Sequence, residues 1–170
     1  MSAGVDGPSS DEPSSDELPL LFFFDCESTG GSMYSDHIIE VGAKVVAVPN
    51  SVNITQHQYG SLIHSSRNIA KVVHSKCGIT AQMLVTEPPF LHVLEELLVW
   101  ISSTVQEVEQ CQQLKYFPVL VAHNGFVFDF LILLSELHRR SIPFNRLVSL
   151  NLHFADMLYD SKKYIKNSDM

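Results

Sequence analysis

The stretch Leu20 to Gly31, L-L-F-F-F-D-C-E-S-T-G-G, constrains the fold more than any other part of the chain. Its five leading apolar residues, bounded by proline and glycine, predict a short buried strand with Asp25 and Glu27 at its C-terminal end. Residues two apart on a strand share a face, so both carboxylates aim at one spot while Cys26 points the other way. Oxygen donors placed in this way suit a hard cation such as Mg²⁺ or Mn²⁺, which leaves its remaining positions to water and phosphate. A solvated turn with a capping aspartate has the same local sequence, and this stretch alone leaves both readings open.

A length of 170 residues suits one domain, and 45 % hydrophobic against 18 % charged residues describes a globular chain. No apolar run approaches the ~18 residues of a membrane span. The opening M-S-A-G-V-D-G-P lacks the basic and apolar regions of a secretory signal. Cys26, Cys77 and Cys111 are not spaced as metal pairs, which predicts reduced thiols and a cytoplasmic or nuclear location. The net charge of −8 argues against a wide phosphate-binding face. Five of the nineteen acids lie in the first seventeen residues, however, and the remainder carries fourteen acids against eleven bases. A pocket for a single strand end is compatible with that balance.

Residues 1 to 17, rich in Ser, Pro, Gly and acid, predict a disordered tail, and 18 to 170 one domain. Ile38 to Val48 reads as a returning strand with Glu40 and Lys44 on its wetter face, and Gln58 to His64 as a third. A helical turn fits Arg67 to Val73, with Gly78 as a breaker and Thr80 as a cap. Pro88 and Pro89 open a long helix whose Leu91, Leu94, Leu98, Ile101, Val105 and Val108 recur at helical spacing. Pro118 to Ala122 is a buried strand that delivers H-N-G-F-V-F-D-F. The helix after it is apolar on most sides and presents Asp129 in its first turn, where the helix dipole favours a carboxylate. A last strand is predicted over Leu147 to Phe154. A meander followed by alternating elements is an α/β arrangement with a mixed sheet, and Asp25, Glu27 and Asp129 all fall at strand ends where such sheets gather their sites.

The blocks F-F-D-C-E-S-T-G, I-I-E-V-G-A, H-S-K-C-G-I-T-A-Q-M-L, P-P-F-L-H-V-L-E-E-L and L-V-A-H-N-G-F-V-F-D-F-L resemble, in order and spacing, the DEDD superfamily of 3′-to-5′ exonucleases in its histidine-base subclass. The resemblance covers about Leu20 to Tyr164. It implies an RNase H-like fold and hydrolysis of phosphodiester bonds at single-stranded 3′ ends of nucleic acid with two ions of Mg²⁺ or Mn²⁺. It further implies that Asp25 bridges both ions, that Glu27 binds the one activating water, and that Asp129 holds the second. By the same resemblance, Thr29 and the main chain at Cys26 line the terminal nucleotide's pocket and Asn124 lies beside Asp129. Ile79 and Leu84 stand where related enzymes press apolar side chains against terminal bases. A turn role for Thr29, a backbone role for Asn124 and a core role for Ile79 and Leu84 are the alternatives. His123 reads as structural, and Ser28 replaces a threonine common among relatives.

The family's third block, H-x-x-x-x-D, which carries its general base and fourth carboxylate, has no counterpart. His153 and Asp156 are three apart, and fourteen residues follow Asp156. The resemblance therefore implies a C-terminally incomplete, truncated member with weak or no activity. A noncatalytic nucleic-acid-binding or protein-interaction module on the same fold is the competing reading. DNA against RNA, and the oligomeric state, stay open.

Overall fold

The structure is a computed structural model that describes residues 17–46 and 58–158. The predicted tail up to residue 16, the end of the second predicted strand and the Lys162, Lys163 and Lys166 group lie outside the described residues.

The predicted meander is present. Strand β1 (Glu17–Ser28), β2 (Ile38–Val45) and β3 (Gln58–Leu62) run antiparallel in sequence order. Glu17, assigned to the tail on composition, is the first residue of β1 and pairs with Lys115. Helix α1 (Lys71–Cys77), α2 (Phe90–Gln112) and strand β4 (Lys115–Ala122) follow, then α3 (Asp129–Arg139), α4 (Asn145–Val148) and β5 (His153–Asp156). The five strands form one mixed sheet in the order β3-β2-β1-β4-β5, with β4 parallel to β1 and β5 parallel to β4. The architecture is the α/β, RNase H-like sheet with flanking helices that the sequence predicts.

Alternation along β1 divides the sheet's two faces. Leu20, Phe22, Phe24 and Cys26 are buried together with Val41, Ala43 and Val45 of β2. Helices α2 and α3 close over them with Leu94, Leu97, Ile101, Phe130, Ile132 and Leu133. Each such side chain contributes about 1.5–3 kcal/mol when taken out of water, which makes this layer the main support of the fold. Opposite Glu27 and Ser28 the β1–β2 register shifts by a residue. That bulge turns Ile38 into the main core and leaves Ile39 in a second, small cluster with Ile79 and Leu84.

Several boundaries differ from the sequence reading. The short helix begins at Lys71, not Arg67, because it closes on Gly78, whose φ of 75° supplies the left-handed cap. Leu91 is exposed and Val93 and Leu97 are buried instead, so the apolar face of α2 is rotated from the predicted one. Strand β4 starts three residues before Pro118. The predicted final strand over Leu147 to Phe154 is in fact α4 followed by β5: Leu147 is a helical core residue and the strand starts only at His153. Helix α3, predicted to be apolar on most sides, has two distinct faces. Leu131 and Leu134 face water, while the buried face includes Glu136 with no exposed surface. The Glu136 charge is matched there by Arg139 and Arg140 on the next turn and by the Ile38 amide, which donates to Oε1 at 3.1 Å. No helix among the described residues is long and apolar enough to cross a membrane.

Candidate functional site

The site is built at a place where pairing in the sheet stops on one side. Strand β1 pairs with β2 as far as Ser28, but its pairing with β4 ends at Phe23 opposite Val121. From Phe24 onward the β4-facing edge of β1 is open, and the chain leaving β4 bends away into the turn His123–Phe128. Helix α3 then returns Asp129 to that open edge. Its Oδ1 accepts from the Cys26 amide at 3.2 Å and from the Cys26 thiol at 3.4 Å, joining positions 103 residues apart.

Asp25 is exposed, Glu27 is half-buried and Cys26 is buried between them, as strand alternation predicts. Glu27 lies opposite Glu40 of β2 in the β1–β2 register. Its carboxyl is held above the usual range, first by burial and then by the charges of Asp25, Glu40 and Asp129, against which Lys76 of α1 acts. Asp129 is also raised, chiefly by burial and further by Asp25, while the two Cys26 hydrogen bonds pull the other way. Burial and the surrounding carboxylates push the Cys26 thiol far up, so it remains protonated. Burial and neighbouring carboxylates together outweigh Lys76, the cation opposing them at Glu27, and a hard cation would supply the further counter-charge.

The donor chemistry thus fits a divalent ion: all-oxygen, multiply anionic and partly open to water. The placement does not yet gather the donors. Among the described residues, no three His, Cys, Asp or Glu side chains converge closely enough to hold an ion as they stand. Asp129 is turned to Cys26, and a ligand cage would draw on its remaining valence.

The softer expectations divide. Thr29 is buried, donates to Asp36 Oδ1 at 2.9 Å and accepts from the His37 amide at 3.0 Å, which is the turn role. The Cys26 amide is engaged by Asp129 and does not face open solvent. Ile79 and Leu84 are 3 % and 0 % exposed in the cluster with Ile39, so they pack as core and present no surface to a base. Asn124 is half-buried in the turn before Asp129 and adopts a φ of 61°. His123 is exposed on that turn.

Sequence reasoning missed the role of Asp156. It is the last residue of β5, 4 % exposed, and its carboxylate accepts from the amides of Asn124 at 3.1 Å, Phe126 at 3.0 Å and Leu158 at 2.8 Å. It clasps the turn that launches Asp129. Gly125 completes the arrangement, because a Cβ there would lie 2.7 Å from Ala122 Cβ and 2.7 Å from the Phe130 ring. The signal was present in the pairing of a turn rich in unsatisfied amides with a carboxylate at the neighbouring strand's end, but it needs β5 to be placed beside β4.

Comparison with solved structures returns exonuclease I repeatedly. The enzyme from Methylocaldum szegediense matches with a TM-score of 0.55 at 13 % identity, covering 83 % of this chain and 28 % of that one. E. coli exonuclease I in complex with a dT13 oligonucleotide matches with a TM-score of 0.52 at 12 % identity, over 82 % of this chain and 28 % of that one. The zinc-bound form of the E. coli enzyme with single-stranded DNA gives a TM-score of 0.53 at 12 % identity, with 83 % and 28 % covered. At these identities the likeness is one of fold, and the chain spans under a third of the length of these neighbours. No curated protein matches by sequence. The family model described as Exonuclease, RNase T type, matches residues 22–166, a span that includes Asp25, Glu27, Asp129 and Asp156. The chain belongs to that exonuclease family.

Proposed function

We propose that the chain is a metal-dependent 3′-to-5′ exonuclease domain acting on single-stranded nucleic-acid ends, with Asp25, Glu27 and Asp129 as its acidic ligands for Mg²⁺ or Mn²⁺. One observation carries this reading: Asp129 returns across 103 residues to the unpaired edge of β1 at Cys26, between Asp25 and Glu27. The oligonucleotides named with the exonuclease I neighbours support the substrate class.

When bound, a pair of divalent ions stabilises attacking and leaving oxygens together and lowers the pKa of water. The chain's own residues prepare for this. Asp25 and Glu27 are held at fixed spacing because β2 pairs with β1 beneath them. Cys26 orients Asp129 through one oxygen, and the positive end of α3 favours its anion. Burial first, and then repulsion from the neighbouring carboxylates, raise Glu27 and Asp129, and a bound cation would offset both.

The test is a gel assay on a 5′-labelled single-stranded oligonucleotide with Mn²⁺. Shortening from the 3′ end, lost in Asp25→Asn and in Asp129→Asn, is expected. Shortening that persists in both variants overturns the assignment. Metal-dependent binding without any cleavage selects the noncatalytic nucleic-acid-binding module.

A further inference from the structure

The turn between β4 and α3 carries a large ring at its surface. Phe126 is 48 % exposed and its neighbour Val127 55 %. An isolated exposed apolar residue is ordinary, but this one is built in. Its amide is bound by the buried Asp156 carboxylate, two residues earlier Asn124 takes the left-handed conformation, and Gly125 fits against Ala122 and Phe130 with no room for a side chain. The ring is braced at its edge by Phe130, with centroids 5.6 Å apart and planes at 61°. Phe130 in turn packs on Phe24 and Phe154. The backbone is therefore fixed, the ring is supported from the core side, and about half of it meets water three residues before Asp129.

Resting on the nuclease reading above, we propose that Phe126, with Val127 beside it, is a stacking platform for a base of the bound single strand. Two observations choose a base as its occupant. The platform is continuous with the candidate site through the same turn that delivers Asp129. Even without its first seventeen residues the chain carries fourteen acids against eleven bases, so away from the proposed metal ions it offers little attraction to phosphates, and aromatic stacking, which holds any base whatever the charge of the surface, supplies affinity there.

The test is the anisotropy of a labelled short single-stranded oligonucleotide titrated with the chain in Ca²⁺, using wild type, Phe126→Ala and Phe126→Tyr. Alanine should weaken binding by about 5- to 150-fold, the range that stacking on one aromatic supports, and tyrosine should restore it. On a strand of the same length without bases, wild type and Phe126→Ala should bind alike, which separates stacking from a general loss of structure. Equal affinity of Phe126→Ala and wild type for the normal strand overturns the platform alone, as does an equal loss on the base-free strand. Absence of any wild-type binding overturns the nuclease reading and the platform with it. If Phe126→Ala changes self-association in sedimentation while oligonucleotide affinity is unchanged, the ring serves a protein interface and the platform is wrong.

Discussion

Replacing Asp156 by alanine removes the acceptor of three backbone amides at once: Asn124 and Leu158 on Oδ1, at 3.1 and 2.8 Å, and Phe126 on Oδ2 at 3.0 Å. A hydrogen bond to a charged group is worth about 1.5–3 kcal/mol. The three share one carboxylate and the turn is only part-buried, so water recovers some of each donor, and about 1 kcal/mol apiece is the appropriate figure. Asp156→Ala should then cost about 3 kcal/mol out of a domain margin of roughly 5–15. Asp156→Asn keeps the oxygen that serves two amides but turns an amide donor toward the Phe126 N–H, and should cost about half as much. Guanidinium unfolding followed by Trp100 emission measures both, because this single tryptophan packs on Phe22 and Tyr59 with centroids 5.4 and 5.9 Å away. Hydrogen exchange at Asn124 and Phe126 should quicken in step. A cost below about 0.5 kcal/mol for alanine at unchanged denaturant slope, or equal costs for the two variants, would refute the clasp.

Glu136→Ala leaves Arg139, Arg140 and the Ile38 amide facing a vacated buried site, and should lower stability by about 3–5 kcal/mol in the same unfolding assay. Gly125→Ala forces a methyl against Ala122 and Phe130 and should cost about 1–3 kcal/mol while loosening the turn, visible as line broadening of the neighbouring amides by NMR. Glu27 has a raised pKa in the fold, so its contribution is full below the unfolded value of about 4.3 and is lost as pH rises through the folded value. Glu27→Gln should therefore gain on wild type in melting temperature as pH rises above about 4, and a difference that is flat with pH would contradict that origin. Mn²⁺ should raise the melting temperature of wild type and leave Asp25→Asn unmoved, measured by calorimetry at neutral pH.

Much of the fold was legible because its signals are local. The apolar run before Asp25, the paired prolines before α2 and the strand leading to His123 mark elements by periodicity and by residues that start or stop them. Asp25 and Glu27 could be placed on one face from alternation alone. What could not be read depends on contacts between distant segments. Leu147 has the composition of a strand residue and becomes helical because α4 fills space under α2, where Arg146 also pairs with Glu95. Ile79 and Leu84 look available for a ligand in one dimension and are covered by Ile39 in three, and only the β1–β2 bulge puts Ile39 on that side. Glu136 has its arginines three and four residues on, a pattern that usually marks a solvated helix face, yet the partner that draws it inward is a backbone amide on β2. Asp156 reads in the sequence as a near-miss for the family's third block and works instead as a clasp for the turn that leads to Asp129.

The open edge of β1 also sets an order of events during folding. The meander from Glu17 to Leu62 forms by neighbouring pairings along the chain, whereas the bond between Cys26 and Asp129 must wait until β4 has docked alongside β1. Closing so large a loop has an entropic cost that local pairings escape. During synthesis, Asp25 and Glu27 therefore emerge about a hundred residues before Asp129, and the hydrogen bond that brings Asp129 to Cys26, between them, cannot yet form. The site comes into being only as a property of the finished sheet, so any ion or strand end that requires all three acids recognises completed molecules and passes over nascent ones.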